Sequence, residues 1–200
     1  MFIALLVPGI PEILLGSDKN PKSNEGLMID LSREGVDDFC ADVKIPDTTA
    51  IDLRIDEGEI NRFFTQPLIE SFRRHFASLY TRSSTSSVEI VASIAEVGVA
   101  YGEPFSNGFF SSRKSDRTVT VALRCTATRN ADGKVLWSGT KRNSSVDTVY
   151  VDEITKLQES SKRIASGAMP DRSALERFIG PLIIAGAAGV AVFLFFTIRS

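Results

Sequence analysis

The sequence predicts an α+β domain, a mostly antiparallel sheet with helices packed on one face, followed by one C-terminal transmembrane helix. Three observations carry this. A helical apolar stripe runs from Glu57 to about Arg82, and three segments alternate apolar and polar residues, the last of them followed by a tight turn at Asn130–Gly133. The run from Phe178 to Ile198 contains no charged residue. At ~1.5 Å per residue that run matches the roughly 30 Å hydrocarbon core of a bilayer.

The N-terminal stretch, MFIALLVPGIPEILLG, is apolar but is interrupted by Pro8, Pro11 and Glu12 and has no basic residues before it. It is a poor transmembrane helix and an incomplete signal peptide. Two readings stand: the remnant of an export signal, or an apolar segment packed on the domain. No cysteine follows it in the position a lipid attachment needs. Residues 17–27, rich in Ser, Asn, Pro, Gly and charge, read as a linker, which places the soluble domain at 28–165.

Within that domain Val36, Phe39, Cys40 and Val43 recur at helical spacing, with Ser32 as the expected N-cap. Thr49 to Asp56 alternates Ile51, Leu53 and Ile55 against Asp52, Arg54 and Asp56, as a half-buried strand requires. The long stripe follows: Ile60, Phe63, Phe64, Leu68, Phe72, Phe76 and Leu79 share one helical face, with Pro67 expected to kink the helix or start a second segment. Phenylalanines at that spacing read as core rather than as a ligand cleft. His75, beside two arginines, reads as a surface residue. Val88 to Tyr101 and Arg117 to Arg129 alternate as strands, the second with Val119, Val121, Leu123, Cys125 and Ala127 on one face. Asn130-Ala-Asp-Gly133 supplies a turn in which glycine takes the positive φ, and the chain returns as KVLWSGT. Asp152 to Ala165 shows loose helical spacing of Ile154, Leu157 and Ile164.

Residues 166–177 form a juxtamembrane joint. Ser173-Ala-Leu-Glu176 matches a capping box, in which Ser173 and Glu176 satisfy backbone donors at a helix start. The span then runs over 178–198, with Phe178 and Ile198 at its ends. Ala185 and Gly189 put small residues four apart, the spacing that lets two helix backbones approach closely in lipid, so self-association through this face is one partner expectation. Lys162, Arg163, Arg172 and Arg177 precede the span and Arg199 follows it. The positive-inside rule applied to these charges favours a cytoplasmic domain, whereas an exported N-terminal segment would override it.

Net charge is −2, so nothing in the charge balance suggests a nucleic-acid partner. Two cysteines and one histidine do not make a metal-ligand set. Cys40 and Cys125 read either as one disulfide or as two buried thiols, and the alternation around Cys125 favours buried thiols. No phosphate-binding glycine loop, zinc-hydrolase motif, nucleophile elbow or C-x-x-C is present, so no enzyme activity and no cofactor are expected. Adjacent acids such as Asp37–Asp38 and Asp152–Glu153 read as solvated surface, and Asn143-Ser-Ser145 would accept a glycan only in a eukaryotic secretory setting. The loop Gly102 to Asp116 sets Phe105, Phe109 and Phe110 beside Arg113 and Lys114. Aromatics next to cations on a loop suit a partner protein or lipid headgroups, and the alternative is that the rings fold back to plug the sheet.

The hairpin TVTVALRCTATR–NADG–KVLWSGTKRNSSV resembles a signature of bacterial envelope accessory domains, a strand followed by D-x-x-x-G-x-x-x-W-x-G. Those domains include the curli-secretion lipoprotein, the TolB N-terminal domain, and auxiliary lipoproteins of transport and lipopolysaccharide assembly. Val119, Val121, Leu123, Gly133, Val135 and Trp137 carry the likeness, over roughly Thr49 to Asp147. The resemblance implies a sheet with helices on one face, binding proteins within an envelope complex without catalysis. The expectation is therefore a single-pass, membrane-anchored accessory or assembly factor with an extracytoplasmic domain, whose partners are the bilayer and proteins of that complex. A cytoplasmic tail-anchored adaptor is the alternative.

Overall fold

A computed structural model of the chain describes residues 21–81, 86–106, 111–159, 161, 164–168, 184–190 and 194–195. Helix α1 (Asn24–Val43) leads into strand β1 (Ala50–Ile55), helix α2 (Glu59–His75), a short strand β2 (Ser78–Tyr80), and three long strands. These are β3 (Val88–Tyr101), β4 (Lys114–Arg129) and β5 (Val135–Tyr150); a 3-10 turn at Val151–Glu153 and helix α3 (Ile154–Glu159) follow.

The five strands form one sheet in the order β2-β1-β3-β4-β5. The sheet is mixed, antiparallel over most of its paired residues: β1 runs parallel to both β2 and β3, and β3–β4–β5 is an antiparallel meander. The reason lies in α2, a crossover that returns the chain in the direction of β1, which a two-residue hairpin cannot do. Both α1 and α2 pack on one face. Phe39 of α1 lies edge-on to Phe72 of α2 (5.9 Å between centroids) and to Trp137 of β5 (5.0 Å). Met28, Val36, Phe64, Leu68, Ile51, Ile90, Val119 and Leu123 fill the layer between helices and sheet, each large side chain worth about 1.5–3 kcal/mol of apolar burial.

Several expectations change. Helix α1 starts at Asn24, inside the stretch read as linker, and its N-cap is Ser23, whose hydroxyl accepts from the Gly26 amide at 3.1 Å. Ser32 is buried mid-helix and donates to the Ile29 carbonyl instead. The small residues Ser32 and Gly35 explain why periodicity found only the later turns of this helix: they face the core, Gly35 against Leu123. Helix α2 ends at His75, not near Arg82, so Leu79 belongs to β2 while Phe76 is buried just past the helix end. Pro67 lies inside one continuous helix, because Phe64, Leu68 and Phe72 anchor both sides of it to the core. The segment after β5 is a short 3-10 turn and a six-residue helix rather than one helix to Ala165.

Strand β3 slips phase at a bulge between Ile94 and Glu96. Just before the bulge, where β1 has ended, the helix layer satisfies a strand amide: Asn61 Oδ1 accepts from the Ile94 N–H at 2.7 Å. Beyond the bulge Val97 and Val99 pack against the core cluster.

Most of the predicted span, including its ends Phe178 and Ile198, and the capping pair Ser173 and Glu176 lie outside the described residues. Within the run, 184–190 and 194–195 are helical, with Ile184, Val190, Leu194 and Phe195 exposed. Ala185 and Gly189 fall in the first of these pieces. Among the described residues no helix is long and apolar enough to cross a membrane.

Candidate functional site

One end of the sheet gathers most of what the sequence marks as interactive. There β3 ends at Tyr101, β4 begins at Lys114 and β5 ends at Tyr150, while α1 begins at Asn24 beside them. The loop between β3 and β4 is tied at its base. Phe105 and Lys114 exchange backbone hydrogen bonds at 2.8 Å, the Gly102 amide donates to Asp116 O, and the buried Ser115 hydroxyl donates to Gly102 O. This rigid base leaves Phe105 40% exposed, so its ring does not plug the sheet. Lys114 sits over the Tyr150 ring, 5.2 Å from its centroid, and the carbonyl of Arg113 accepts from the Val151 amide. Phe109 and Phe110 lie outside the described residues. Of the five residues singled out on this loop, the structure thus brings Phe105, Arg113 and Lys114 together.

Beneath that rim lies a polar core. Arg117 is fully buried, with its guanidinium bidentate on Asp147: Nε to Oδ1 at 2.8 Å and Nη2 to Oδ2. Nη1 donates both to the Lys22 carbonyl and to Asn24 Oδ1 at 2.9 Å. Asn24 Nδ2 in turn reaches Tyr101 Oη at 3.1 Å and Ser161 Oγ at 3.4 Å. Gln158 Nε2 donates to the Gly167 carbonyl, and Gly167 lies so close to the Tyr101 ring that a Cβ there would come within 2.7 Å. The start of α1 and the segment after α3 are therefore joined through Asn24, which bonds Ser161 with its amide nitrogen while its oxygen is held by Arg117. A buried charge demands such complete pairing, since desolvation costs several kcal/mol otherwise. The sequence carried the signal: Arg117 stands two residues before Val119 in the inward register of β4, a charge where an apolar residue belongs.

The motif Trp137-Ser-Gly139 also acquires a physical reason. Gly139 follows Trp137 on the same face of β5, and a Cβ at Gly139 would fall 2.8 Å from the indole. Glycine lets the ring lie flat along its own strand, against Phe39 and under the Lys141 ammonium.

Elsewhere, His75 Nε2 meets Asp37 Oδ1 at 2.7 Å on the surface, linking α2 to α1. Cys40 and Cys125 are both free thiols. Burial pushes each up to about 12, helped for Cys40 by the nearby Asp37 carboxylate and for Cys125 by Cys40. Neither is a thiolate at neutral pH, which removes the reactive form of cysteine from both positions. Among the described residues no three His, Cys, Asp or Glu side chains come together as metal ligands. At the opposite end of the sheet an open cleft of ≈ 770 Å³ lies between the end of α1 and the β4–β5 turn, lined by Val43, Ile45, Val88 and Leu136 among others.

No protein-family model matches the chain. No curated protein sequence matches it either. Among solved structures the chain is similar to a minor lipoprotein from Acinetobacter baumannii, with 13% identity, a TM-score of 0.33, and coverage of 60% of this chain and 77% of that one. It is also similar to the rare lipoprotein B from Shewanella oneidensis, with 12% identity, a TM-score of 0.33, and coverage of 72% and 98%. A third is a putative neuraminyllactose-binding hemagglutinin homolog from Helicobacter pylori, with 11% identity, a TM-score of 0.33, and coverage of 58% and 79%. Two of the three are bacterial lipoproteins.

Proposed function

We propose that this chain is a membrane-tethered accessory factor that binds protein partners in a bacterial envelope complex and performs no catalysis. One observation supports the reading above the others. Lys22–Asn24 and the segment with Ser161 and Gly167 lie at one end of the domain, Asn24 bonding both Arg117 and Ser161 and Gln158 holding Gly167, and that end carries Phe105, Arg113 and Lys114. The uncharged run from Phe178 to Ile198 begins about ten residues further on. A tether leaving from that end turns the aromatic and basic rim toward the lipid headgroups and the rest of the domain toward its partners. The hairpin with its Trp137–Gly139 pair supports the envelope assignment through the resemblance already drawn, and an extracytoplasmic domain goes with it.

The second reading is a cytoplasmic tail-anchored adaptor, which the excess of Lys162, Arg163, Arg172 and Arg177 over Arg199 supports. Thr48 is exposed in the turn between α1 and β1, and Thr48→Cys separates the two readings. Labelling by a membrane-impermeant maleimide in intact cells is the expected result; protection until lysis would establish the cytoplasmic orientation. Release of the full chain from membranes by carbonate would end both.

A further inference from the structure

We infer that the open edge of β5, together with the acidic side of α1 above it, receives an extended basic segment of a partner protein as a sixth strand. The inference deepens the binding role proposed above and rests on it.

The two edges of the sheet differ greatly. One is β2, three residues long; the other is β5, which runs from Val135 to Tyr150 and contains no proline. Among the described residues no element pairs with its outer side. Which residues face outward follows from the ladder. Asp116 O accepts from Gly102 on the β3 side, whereas Arg113 O accepts from Val151 on the β5 side. Odd residues of β4 therefore bond to β5, and their partners there are odd as well, such as Arg117↔Asp147 and Val121↔Asn143. From Ser138 to Tyr150 the even residues direct their N–H and C=O groups to the open edge. A long edge of that kind is a template for another strand. The inward charges that ordinarily guard such an edge are already engaged within the fold, Lys141 with Asp42 and Asp147 with Arg117.

Charge decides the occupant. Asp38 accepts from Asn143 at 3.2 Å and Asp42 pairs with Lys141, so this side of α1 runs along β5 in the opposite direction. Four residues of helix advance ~6 Å and two residues of strand ~6.7 Å, so one helical turn keeps step with each strand dipeptide. Glu34, exposed one turn earlier, extends the stripe to the level of Ser145. An added strand with Lys or Arg at every second position presents one cation to each of Glu34, Asp38 and Asp42. A second copy of this chain fits badly. Pairing β5 with itself across a two-fold axis brings α1 to about 10 Å from its copy, ordinary helix-packing distance, and sets acid stripe against acid stripe.

The test uses the full chain in detergent micelles and a fluorescent synthetic peptide of alternating threonine and lysine, with a threonine–glutamate peptide as control. The lysine peptide is expected to bind, to lose affinity with added salt, and to slow amide exchange at Ser138, Thr140, Arg142, Ser144 and Val146. Ser144→Pro removes an outward N–H without touching the β4 ladder and is expected to weaken binding about tenfold, as is Glu34→Lys with Asp38→Lys. If Ser144→Pro does not fold, the charge-reversed chain carries the test. Equal binding of both peptides, unchanged exchange at the edge, wild-type affinity in the variants, or oxidative cross-linking of a Ser144→Cys chain to itself would overturn the inference. Because the assay is independent of topology, its failure leaves the maleimide and carbonate results intact, and the reverse holds too.

Discussion

The interior of the domain is built two ways. Around Phe39, Phe64, Phe72 and Trp137 the layer between helices and sheet is apolar and held by shape; around Arg117 it is polar and held by hydrogen bonds. The apolar region accepts any well-packed arrangement of suitable volume, so its energy is spread over many contacts. The polar region is satisfied by one arrangement, in which Asp147, Asn24 and the Lys22 carbonyl must all be present, and Asn24 goes on to hold Tyr101 and Ser161. The difference teaches where this domain is tolerant and where it is brittle, and the brittle end is the one at which the start of α1 meets the segment after α3.

The sharpest test of that contrast is Asp147→Ala. It leaves the Arg117 charge buried without its carboxylate, and a loss of about 3–5 kcal/mol is expected in denaturant unfolding. Arg117→Met removes the charge itself and is expected to cost clearly less. Equal losses in the two variants would show that the pair is ordinary packing. A smaller effect is expected in the apolar region. Gly139→Ala forces the Trp137 ring off its strand and away from Phe39, an overpacking cost of about 1–3 kcal/mol, visible as a change in tryptophan fluorescence together with a lowered melting temperature. Smallest is the alkaline response of the thiols. Their folded pKa values of about 12 lie above that of an ordinary thiol, so the folded state holds its protons longer than the unfolded one, and stability falls as pH rises from about 9 toward 12. Cys125→Ala is expected to flatten that decline, and both thiols are expected to resist alkylation at pH 8 until the chain unfolds.

Much of the apolar region was legible beforehand. Alternation along β1, β3 and β4, the Asn130–Gly133 turn and the phenylalanine stripe of α2 each repeat with the period of their element, and a period survives without knowledge of neighbours. Gly133 does take positive φ, at 69°. Helix α1 was half hidden because Asn24, Ser32 and Gly35 face the interior, where a hydropathy pattern expects large apolar residues. The parallel placement of β1 was hidden because strand direction depends on what the connecting helix packs against, not on the strand's own residues.

The candidate site divides in the same way. Phe105, Arg113 and Lys114 could be picked from their loop by composition. That Phe105 stands out from a bridged base, and that Lys114 rests on Tyr150, required the register of three strands. Trp137 was picked out from its motif, but the role of Gly139 is steric and appears only when the ring is in place.

What the residues alone determined is therefore local: which segments are amphipathic, where the hairpin turns, which thiol is buried, and where an uncharged run is long enough to match a bilayer. Tertiary structure decided the rest: that Asn24, held by an arginine at the start of β4, ties the start of α1 to the segment after α3, and that a sixteen-residue edge lies beneath an acidic helix. Periodicity is a property of a segment by itself. Charge pairing and an open edge exist between segments distant in sequence, and they come into being only when those segments meet.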